Sequence, residues 1–355
     1  SGIRHVVVWA GGQTINRLPQ RDWLEKVHVP LLDKWLPQRV FWQQRLLPAA
    51  LAETGCSLLF SPGGTLSFRV AVPRITMSQN MLPFDRTESA RFGLLSAMRL
   101  KMVLLRRSQS RSFKSAEGVI FLTHYARDEI SSDLGGLDGQ VAIIPHGVDS
   151  RFFMQPRPAQ SIVEFSSDRP FRFLYVSNID VYKHQRHVAY AMKLLRDRGF
   201  PVAIEFIGPA YGPALKALER TIQDLDPERR FMWYRGAIPF QELHRAYQSA
   251  DAFVFASSCE NLPNILLEAM ASGLPIACSN RGPMPEVLRD AGVYFNPESP
   301  SDIEAALRVL LDKPATRATI ALKAHALARE YTWKRCATDT FDFIQMVMSK
   351  NDHNV

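Results

Sequence analysis

Cysteine is scarce in this sequence, with four residues among 355, widely separated and without a CxxC pair. Disulfide frameworks and zinc ribbons need paired cysteines at short spacing, so the sequence indicates neither, and a reducing cytoplasm is the compartment we expect. Long apolar runs are also absent, because 252–256 and 265–267 fall far short of the roughly 20 residues that cross a bilayer. We therefore predict no transmembrane helix.

Acidic residues are outnumbered, and the imbalance is uneven along the chain. Lys and Arg total 43 against 35 Asp and Glu, which gives a net charge of +8. Residues 1–150 hold 18 of the basic and 12 of the acidic residues, so most of the excess lies there. A basic half is typical of a nucleic-acid surface, an anionic membrane surface or a basic acceptor cleft, and charge alone leaves the three open.

Length and hydrophobic pattern indicate a two-domain α/β protein. At 355 residues the chain exceeds the roughly 150 residues of a typical single domain. Short β-branched apolar runs alternate with longer amphipathic segments, which is the pattern of βα units in a parallel sheet. Eleven strands in two sheets are predicted, over 5–10, 57–61, 74–78, 118–123, 141–145, 171–177, 202–208, 231–236, 252–256, 275–279 and 293–295.

A polar stretch with three prolines separates the two series of strands. Prolines and polar side chains at this density are typical of a connection between domains. We therefore predict a first domain over 1–150, a linker over 151–170, a second domain over 171–332, and a C-terminal helix and tail over 333–355.

The segment 257–275 carries the strongest functional signal. Pro263 suits the first position of a helix and Gly273 its C′ position, which places Glu260 in a loop and Glu268 inside the helix. In a doubly wound sheet, the loop after a strand and the N-terminus of the next helix bind anionic ligands. Taken alone, the segment is equally consistent with an amphipathic helix that carries two ordinary carboxylates.

Other strings in the sequence change that interpretation. Seven residues separate Glu260 from Glu268, and further strings stand in order around this pair, at 144–149, 175–178 followed by Lys183, 206–209, 250–254 and 283–287. Together they resemble the E-x7-E region of retaining glycosyltransferases with the GT-B fold, in particular glycosyltransferase family 4. The resemblance covers 141–297 well and the first 140 residues loosely.

The resemblance implies an α/β fold of the GT-B type, with two facing Rossmann-like domains, a cleft between them and a C-terminal helix that returns toward the first domain. It implies a retaining glycosyltransferase that moves a hexose-type sugar from a GDP- or UDP-linked donor to a saccharide or lipid-linked saccharide acceptor. The donor would bind mainly to the second domain and the acceptor to the first. Surface polysaccharide or lipopolysaccharide biosynthesis is the setting associated with such proteins.

The resemblance also assigns roles to individual residues. Glu268 would accept hydrogen bonds from the donor ribose, Glu260 would lie beside the transferred sugar, and Lys183 would neutralise the diphosphate. A solvated loop lysine is the alternative interpretation of Lys183. The other donor-site residues, which contribute side chains or backbone amides, are Ser177, Asn178, Gly208, Asn261, Leu262 and Pro263.

One position departs from the family pattern. The family often has an Arg a few residues before the lysine, and the corresponding residue here is Asn178, which can donate a hydrogen bond but carries no charge. Arg172, Arg186 or another basic residue would have to supply the missing positive charge.

The first domain contributes weaker candidates. Asn80, beside Gln79, follows a strand where many relatives carry a His-Asp pair, so it either hydrogen-bonds the sugar or acceptor or caps a turn, but it is no general base. His124, just past another strand, is a secondary catalytic candidate. We interpret His146 as part of the turn into the linker and Cys259 as a small buried thiol.

Metal-dependent transfer and hydrolysis are both disfavoured. The only Asp-x-Asp string, at 224–226, lies in a polar helix, where we expect a solvated face. We therefore predict no metal ion and no cofactor other than the nucleotide-sugar co-substrate. A retaining glycosidase needs two carboxyls roughly 5–5.5 Å apart, whereas eight helical residues rise about 12 Å.

Several alternatives stay open. A GT-B epimerase or phosphorylase, or a non-catalytic protein that binds nucleotide-sugars or nucleic acid, would share parts of this pattern. No aromatic–basic interleaving is present, so no nucleic-acid partner is predicted. The stretch 99–111 is basic and amphipathic, and it is either a helix with a solvated face or a peripheral contact with an anionic membrane. The first predicted strand, 5–10, is interpreted as the family's second, with the leading βα unit missing.

Overall fold

The computed structural model describes residues 2–93 and 96–352, with side chains as far as residue 350. In this part of the chain twelve strands form three parallel sheets. The strands are β1 (Val6–Ala10), β2 (Leu24–His28), β3 (Leu59–Ser61), β4 (Arg74–Met77), β5 (Gly118–Phe121), β6 (Gln140–Ile143), β7 (Phe171–Val176), β8 (Val202–Ile207), β9 (Met232–Gly236), β10 (Ala252–Phe255), β11 (Ile276–Ser279) and β12 (Val293–Phe295).

Helices alternate with these strands over most of the chain. They are α1 (Gly12–Ile15), α2 (Leu36–Phe41), α3 (Leu47–Thr54), α4 (Arg86–Ala90), α5 (Ala97–Ser115), α6 (His124–Leu134), α7 (Gln185–Asp197), α8 (Gly212–Leu225), α9 (Phe240–Ser249), α10 (Asn264–Ala271), α11 (Met284–Leu288), α12 (Pro300–Asp312), α13 (Pro314–Ala328) and α14 (Trp333–Asp352). A π-helical turn over Trp42–Leu46 joins α2 to α3. None of the helices that the structure describes is long and apolar enough to cross a membrane.

The sheet of the second domain is doubly wound. Its strand order is β12-β11-β10-β7-β8-β9, so the chain proceeds outward in one direction from β7 and in the other from β10. Loops that leave the carboxyl ends of two such neighbouring strands diverge, and the crevice between them is the usual ligand site of an open α/β sheet. The topology therefore predicts a ligand site at the segments that follow β7 and β10.

The first domain has a smaller sheet, ordered β3-β4-β5-β6, and a separate pair, β1-β2. All eleven predicted strands are confirmed within a residue or two, but β2 was missed and the strands form three sheets instead of two. The sequence of β2 is LEKVH, whose adjacent Glu and Lys interrupt an alternating pattern. Among the described strands β2 pairs with β1 alone, in a register from Val6↔Leu24 to Ala10↔His28, and this pairing accounts for the third sheet.

The C-terminal helix α14 joins the two halves of the molecule, as the resemblance implies. Phe343 and Val347 of this helix lie in one hydrophobic cluster with Ile75 and Ile120 of the first-domain sheet. A Cβ atom on Gly118 would lie 3.0 Å from both Phe343 and Val347, so glycine lets the helix approach β5 closely. Packing against the first domain thus holds helix α14 in place.

The segment 151–170 lies along the second domain. Phe152 is buried, the Met154 amide donates to the Ala271 carbonyl at 3.0 Å, and Arg317 donates to the Gln160 carbonyl. Just before it, His146 stacks on Trp333 with ring centroids 5.5 Å apart, which fits the interpretation of His146 as part of the turn. The connection between the domains is therefore anchored to the second domain at several points.

Candidate functional site

Two loops meet at the switch between β7 and β10. The loop after β7 ends in a short 3-10 turn, Val181–Lys183, and the loop after β10 runs over 256–263 to the start of α10. Pro263 is the N-cap residue of that helix, one position earlier than predicted, and Gly273 adopts a left-handed φ of 66° just past its end. Glu260 lies in the loop and Glu268 in the helix, as predicted.

Lys183 and Glu260 form a buried ion pair between these loops. Lys183 is only 5% exposed, and its Nζ donates to Oε1 of Glu260, whose side chain is 14% exposed. The aromatic rings of Tyr182 and Phe255 lie 5.0 and 5.5 Å from the ammonium, within cation–π range. The alternative interpretation of Lys183 as a solvated loop lysine is therefore wrong.

Tyr175 ties the backbones of the two loops together. Its hydroxyl donates to the Lys183 carbonyl and accepts the Ala256 amide at 3.2 Å. The ring is fully buried, and burial raises the pKa of Tyr175 well above its usual range, so the hydroxyl stays protonated. Lys183 and the loop that carries Glu260 are thus placed by one side chain of β7.

His184 forms a second connection between the loop after β7 and the loop after β10. It follows Lys183 directly with a left-handed φ of 52°, which is uncommon for a residue with a side chain. Its Nε2 lies 2.9 Å from Oγ of Ser258, and the Ser258 amide donates to the Tyr182 carbonyl at 2.9 Å. Burial lowers the pKa of His184 to about 4, so the ring is neutral near pH 7. Neither His184 nor Ser258 was singled out from the sequence, although the string KHQRH at 183–187 was visible there.

Ser177, Asn178 and Gly208 form the turns next to the pair. Gly208 has a φ of 145°, and a Cβ atom on it would lie 2.1 Å from the Ser177 carbonyl oxygen. Gln185 donates to Oγ of Ser177 at 3.2 Å and to the Asn178 carbonyl at 2.9 Å, while the side chain of Asn178 is exposed. The structure therefore brings the three predicted residues together at one edge of the sheet.

Arg172 and Arg186 are the two named candidates for replacing the missing arginine. Arg172 lies near the start of β7, at the opposite end of the strand from Asn178. Arg186 donates from Nε to Oγ1 of Thr221 on α8 at 3.1 Å. The position of Arg172 argues against it as the source of a second positive charge at Asn178, while Arg186 or another basic residue stays a prediction.

Glu268 has a separate environment from Glu260. Oε2 of Glu268 accepts a hydrogen bond of 2.9 Å from the hydroxyl of the fully buried Tyr247. Burial raises the pKa of Glu268 to about 7, and the bond from Tyr247 and the charge of Arg151 offset this only in part. The two carboxylates thus have different partners, which fits two contacts along an extended ligand.

The residues after Glu260 face the first domain. Nδ2 of Asn261 donates to Oγ of Ser78 at 3.0 Å, and Oγ1 of Thr123 donates to the Asn261 carbonyl at 2.9 Å. Oδ1 of Asn261 is buried, and the described part of the chain supplies it with no hydrogen-bond partner. Leu262 and Pro263 are buried beside it. Both domains therefore hold the loop that carries Glu260.

The two first-domain candidates have structural contacts. Oδ1 of Asn80 accepts the Leu82 amide at 3.1 Å, which favours the turn-cap interpretation. The side chain of His124 is exposed, and its amide and that of Tyr125 donate to the carboxylate of Glu286 at 2.8 and 2.9 Å. A second-domain carboxylate thus caps the N-terminus of α6, where the helix dipole favours negative charge. The string at 283–287 does not by itself predict this role of Glu286.

Two further expectations concern Asp226 and Cys259. Asp226 is only 3% exposed and accepts the amides of Phe231 and Met232 at 2.8 and 2.9 Å, so the expected solvated face is wrong at this position. It fixes the turn into β9. Cys259 is buried among first-domain side chains, as predicted, and burial raises its pKa.

The comparisons with known proteins agree with this architecture. Residues 157–326 match the family model of glycosyl transferases group 1. A sulfoquinovosyl transferase of Arabidopsis thaliana is 30% identical over 207 residues, which cover 56% of this chain and 38% of that protein. The O-antigen chain mannosyltransferase B of Escherichia coli is 28% identical over 178 residues, 49% of this chain and 45% of that protein. The chain thus spans less than half the length of these two relatives.

Solved structures extend the likeness to nearly the whole chain. Sucrose-phosphate synthase from Thermosynechococcus elongatus aligns with a TM-score of 0.76 at 16% identity, over 98% of this chain and 90% of that one. HepE of Anabaena, solved with UDP-glucose, aligns with a TM-score of 0.68 at 17% identity, over 97% of this chain and 99% of that one. The protein has the GT-B fold. The predicted pair of Rossmann-like domains is confirmed.

The raised pKa of Glu268 predicts a pH-dependent stability. The folded protein binds a proton at Glu268 more tightly than the unfolded chain does, so the free energy of unfolding falls as pH rises from about 4.5 to about 7. Glu268→Gln lacks this titration. Between pH 5 and pH 8, denaturant unfolding is expected to show the wild type losing about 1–3 kcal/mol relative to this variant.

The matched control is Glu53→Gln, at an exposed position of α3. Its unfolding free energy should stay parallel to that of the wild type across the same range. A Glu268→Gln profile that also runs parallel to the wild type would contradict the prediction.

Proposed function

We propose that this protein is a retaining glycosyltransferase that moves a hexose-type sugar from a nucleotide-diphospho-sugar to a saccharide or lipid-linked saccharide acceptor. The observation that carries the proposal is the buried Lys183–Glu260 pair at the switch between β7 and β10. Both residues lie inside the segment that matches the family model. The curated relatives named above, both sugar transferases, support the same class of reaction.

Lys183 supplies the charge that such a transfer needs. As the bond from the sugar to the diphosphate breaks, negative charge grows on the leaving phosphate. A fixed ammonium in a site of low dielectric stabilises this charge far more than water does. Because Lys183 already carries out this neutralisation, the proposed reaction requires no metal ion. The donor diphosphate replaces the Glu260 carboxylate as the partner of Lys183, which leaves Glu260 free to face the transferred sugar.

Glu268 and Tyr247 fit the nucleoside end of the donor. Tyr247 occupies one oxygen of the Glu268 carboxylate and orients it, and the second oxygen can accept from ribose hydroxyls. Retention then follows if the acceptor attacks from the face that the diphosphate leaves, with a donor phosphate oxygen taking the acceptor proton. In this mechanism Asn80 and His124 need not act as bases.

The base of the donor is tested by ligand-induced stabilisation. UDP, GDP, TDP and ADP with their common sugar conjugates are compared in a thermal-shift panel on the wild type, Glu268→Ala and the surface control Glu53→Ala. A ligand at 100 times its Kd stabilises by about 2.7 kcal/mol. We expect one base series, GDP or UDP, to raise the Tm of the wild type and the control but not of Glu268→Ala. Equal shifts in all three proteins would contradict the assignment of Glu268.

Replacing both members of the Lys183–Glu260 pair separates its contribution to the reaction rate from its contribution to stability. Lys183→Met or Glu260→Gln alone leaves an unpaired buried charge, which typically costs about 3–5 kcal/mol. The double variant carries neither charge and is expected to recover most of this stability. Release of nucleoside diphosphate from the donor should nevertheless fall at least about 100-fold in the double variant, since the charge on the leaving group is no longer balanced.

The same assay distinguishes the alternatives. An epimerase would convert the donor without an acceptor, and a phosphorylase would require inorganic phosphate. A binding protein would show the thermal shift without turnover. Full activity in the double variant would refute the proposed role of Lys183.

Helix α5 supports a peripheral contact with an anionic membrane, at the inner face of the cytoplasmic membrane. It has six Lys or Arg residues and no Asp or Glu. Its exposed face also presents Leu100, Val103 and Leu104, which are 62, 44 and 55% exposed. A helix with apolar and basic residues on one solvent-facing surface is complementary to anionic lipid. This contact would bring a lipid-linked acceptor to the first domain.

Vesicle flotation tests the membrane contact. The wild type is expected to float with vesicles that contain phosphatidylglycerol but not with phosphatidylcholine alone. Each basic residue near an anionic surface contributes about 1 kcal/mol, so Lys101→Glu with Arg107→Glu should abolish flotation. The matched control, Lys216→Glu with Arg220→Glu on α8, should float like the wild type. Flotation of the Lys101→Glu, Arg107→Glu variant, or failure of the wild type to float, would refute the proposed membrane contact.

A further inference from the structure

One histidine and two glutamates converge where the domains meet, beside Lys183, and a second histidine lies against the first. His184 and His187 lie at the start of α7, and Glu298 precedes α12, so all three belong to the second domain. Glu88 belongs to α4 of the first domain. A carboxylate oxygen of Glu88, a ring nitrogen of His184 and a carboxylate oxygen of Glu298 lie within 4.8 Å of one another. The proposed transfer reaction uses none of these four side chains.

The two imidazoles already have the spacing of metal ligands. Nδ1 of His184 and Nδ1 of His187 share a hydrogen bond of 3.1 Å, a distance close to that between two ligands of one ion. Two nitrogens bound tetrahedrally to one zinc ion at 2.0–2.1 Å are about 3.3 Å apart. A single ion between the rings would therefore need only a small adjustment of either side chain.

The hydrogen bond from His184 to Ser258 involves Nε2, and Nδ1 is the ring nitrogen that faces His187. With the proton of the Ser258 hydroxyl donated to the Tyr182 carbonyl at 3.1 Å, Oγ accepts from Nε2 of His184 at 2.9 Å. That bond puts the proton on Nε2 and leaves a lone pair on Nδ1, which faces His187. Ligating histidines are typically held by such a bond on the other ring nitrogen.

Burial and backbone conformation support the same interpretation. Glu88 and His184 are both 4% exposed, whereas His187 and Glu298 are partly open to solvent, so an ion can enter from one side. His184 retains a side chain at a φ of 52°, a conformation that is kept only where the surroundings enforce it.

Arg91 currently bridges the two carboxylates. Its guanidinium donates to Oε2 of Glu88 at 2.6 Å and lies 2.9 Å from Oε2 of Glu298. The guanidinium thus holds together two carboxylates that come from different domains. A divalent cation would compete with Arg91 for them.

We propose that His184, His187, Glu298 and Glu88 form a binding site for one divalent transition-metal ion that tethers the two domains. Two imidazoles and two carboxylates are a donor set that suits zinc and cobalt. The ion takes no part in sugar transfer, and the proposal does not depend on the proposed function.

Isothermal titration of zinc chloride into chelator-treated full-length protein tests the site. One zinc ion per chain is expected to bind to the wild type. His187→Ala and Glu298→Gln should each weaken binding at least about tenfold, since even the loss of an outer-shell partner costs that much. Arg91→Gln should bind more tightly, because the competing guanidinium is gone. The matched control is His28→Ala, which removes an exposed histidine 2.6 Å from Asp33.

Cobalt chloride provides a readout that does not depend on stability. A visible absorption band of four-coordinate cobalt is expected with the wild type and with His28→Ala, and its loss is expected with His187→Ala. Glu88→Gln tests the tether, since zinc should then no longer protect the connection between the domains from limited proteolysis. Absence of saturable zinc binding, equal affinity in His187→Ala, or loss of binding only in His28→Ala would overturn the proposal.

Discussion

The divergence of two parallel strands, and the pair of charges placed between them, controls the organisation of this molecule. Neighbouring strands β7 and β10 send their helices to opposite sides, so the loops after them are left without a covering helix. Lys183 and Glu260 lie in those loops and lose water together, and neither charge would be tolerated there without the other. Tyr175 and the bond from His184 to Ser258 then fix the two backbones around the pair.

The same loop also joins the two domains. Asn261 bonds to Ser78 and Thr123, and Cys259 packs among first-domain side chains. Glu286 adds a second crossing through the N-terminus of α6. Any opening of the cleft must therefore disturb the segment that carries Glu260. The contacts between the domains and the conformation of this loop therefore depend on each other.

The strands of both domains could be predicted because buried parallel strands are continuous apolar runs bounded by turns. The pattern failed where other constraints acted. β2 carries Glu25 and Lys26 in its middle, and only its pairing with β1 shows that it is a strand. Asp226 sits in a polar sequence that indicates a solvated helix, but it turns inward to accept three amides before β9. A side chain that accepts hydrogen bonds from nearby backbone amides does not change the hydrophobic periodicity of the sequence, so the pattern cannot predict it.

The sequence alone determined the fold class, the position of Glu260 in a loop and of Glu268 in a helix, and the grouping of Ser177, Asn178 and Gly208. The fold class and the positions of Glu260 and Glu268 depend on local pattern and spacing, which one chain displays directly, whereas the grouping of Ser177, Asn178 and Gly208 is what the family resemblance implies. Only the tertiary structure decided that Lys183 is buried against Glu260, that Asn261 contacts the first domain, and that Glu88 meets His184 and Glu298. The reason is physical: burial, desolvation and the meeting of side chains far apart in sequence depend on how the sheets and domains pack, and spacing along the chain carries no information about them.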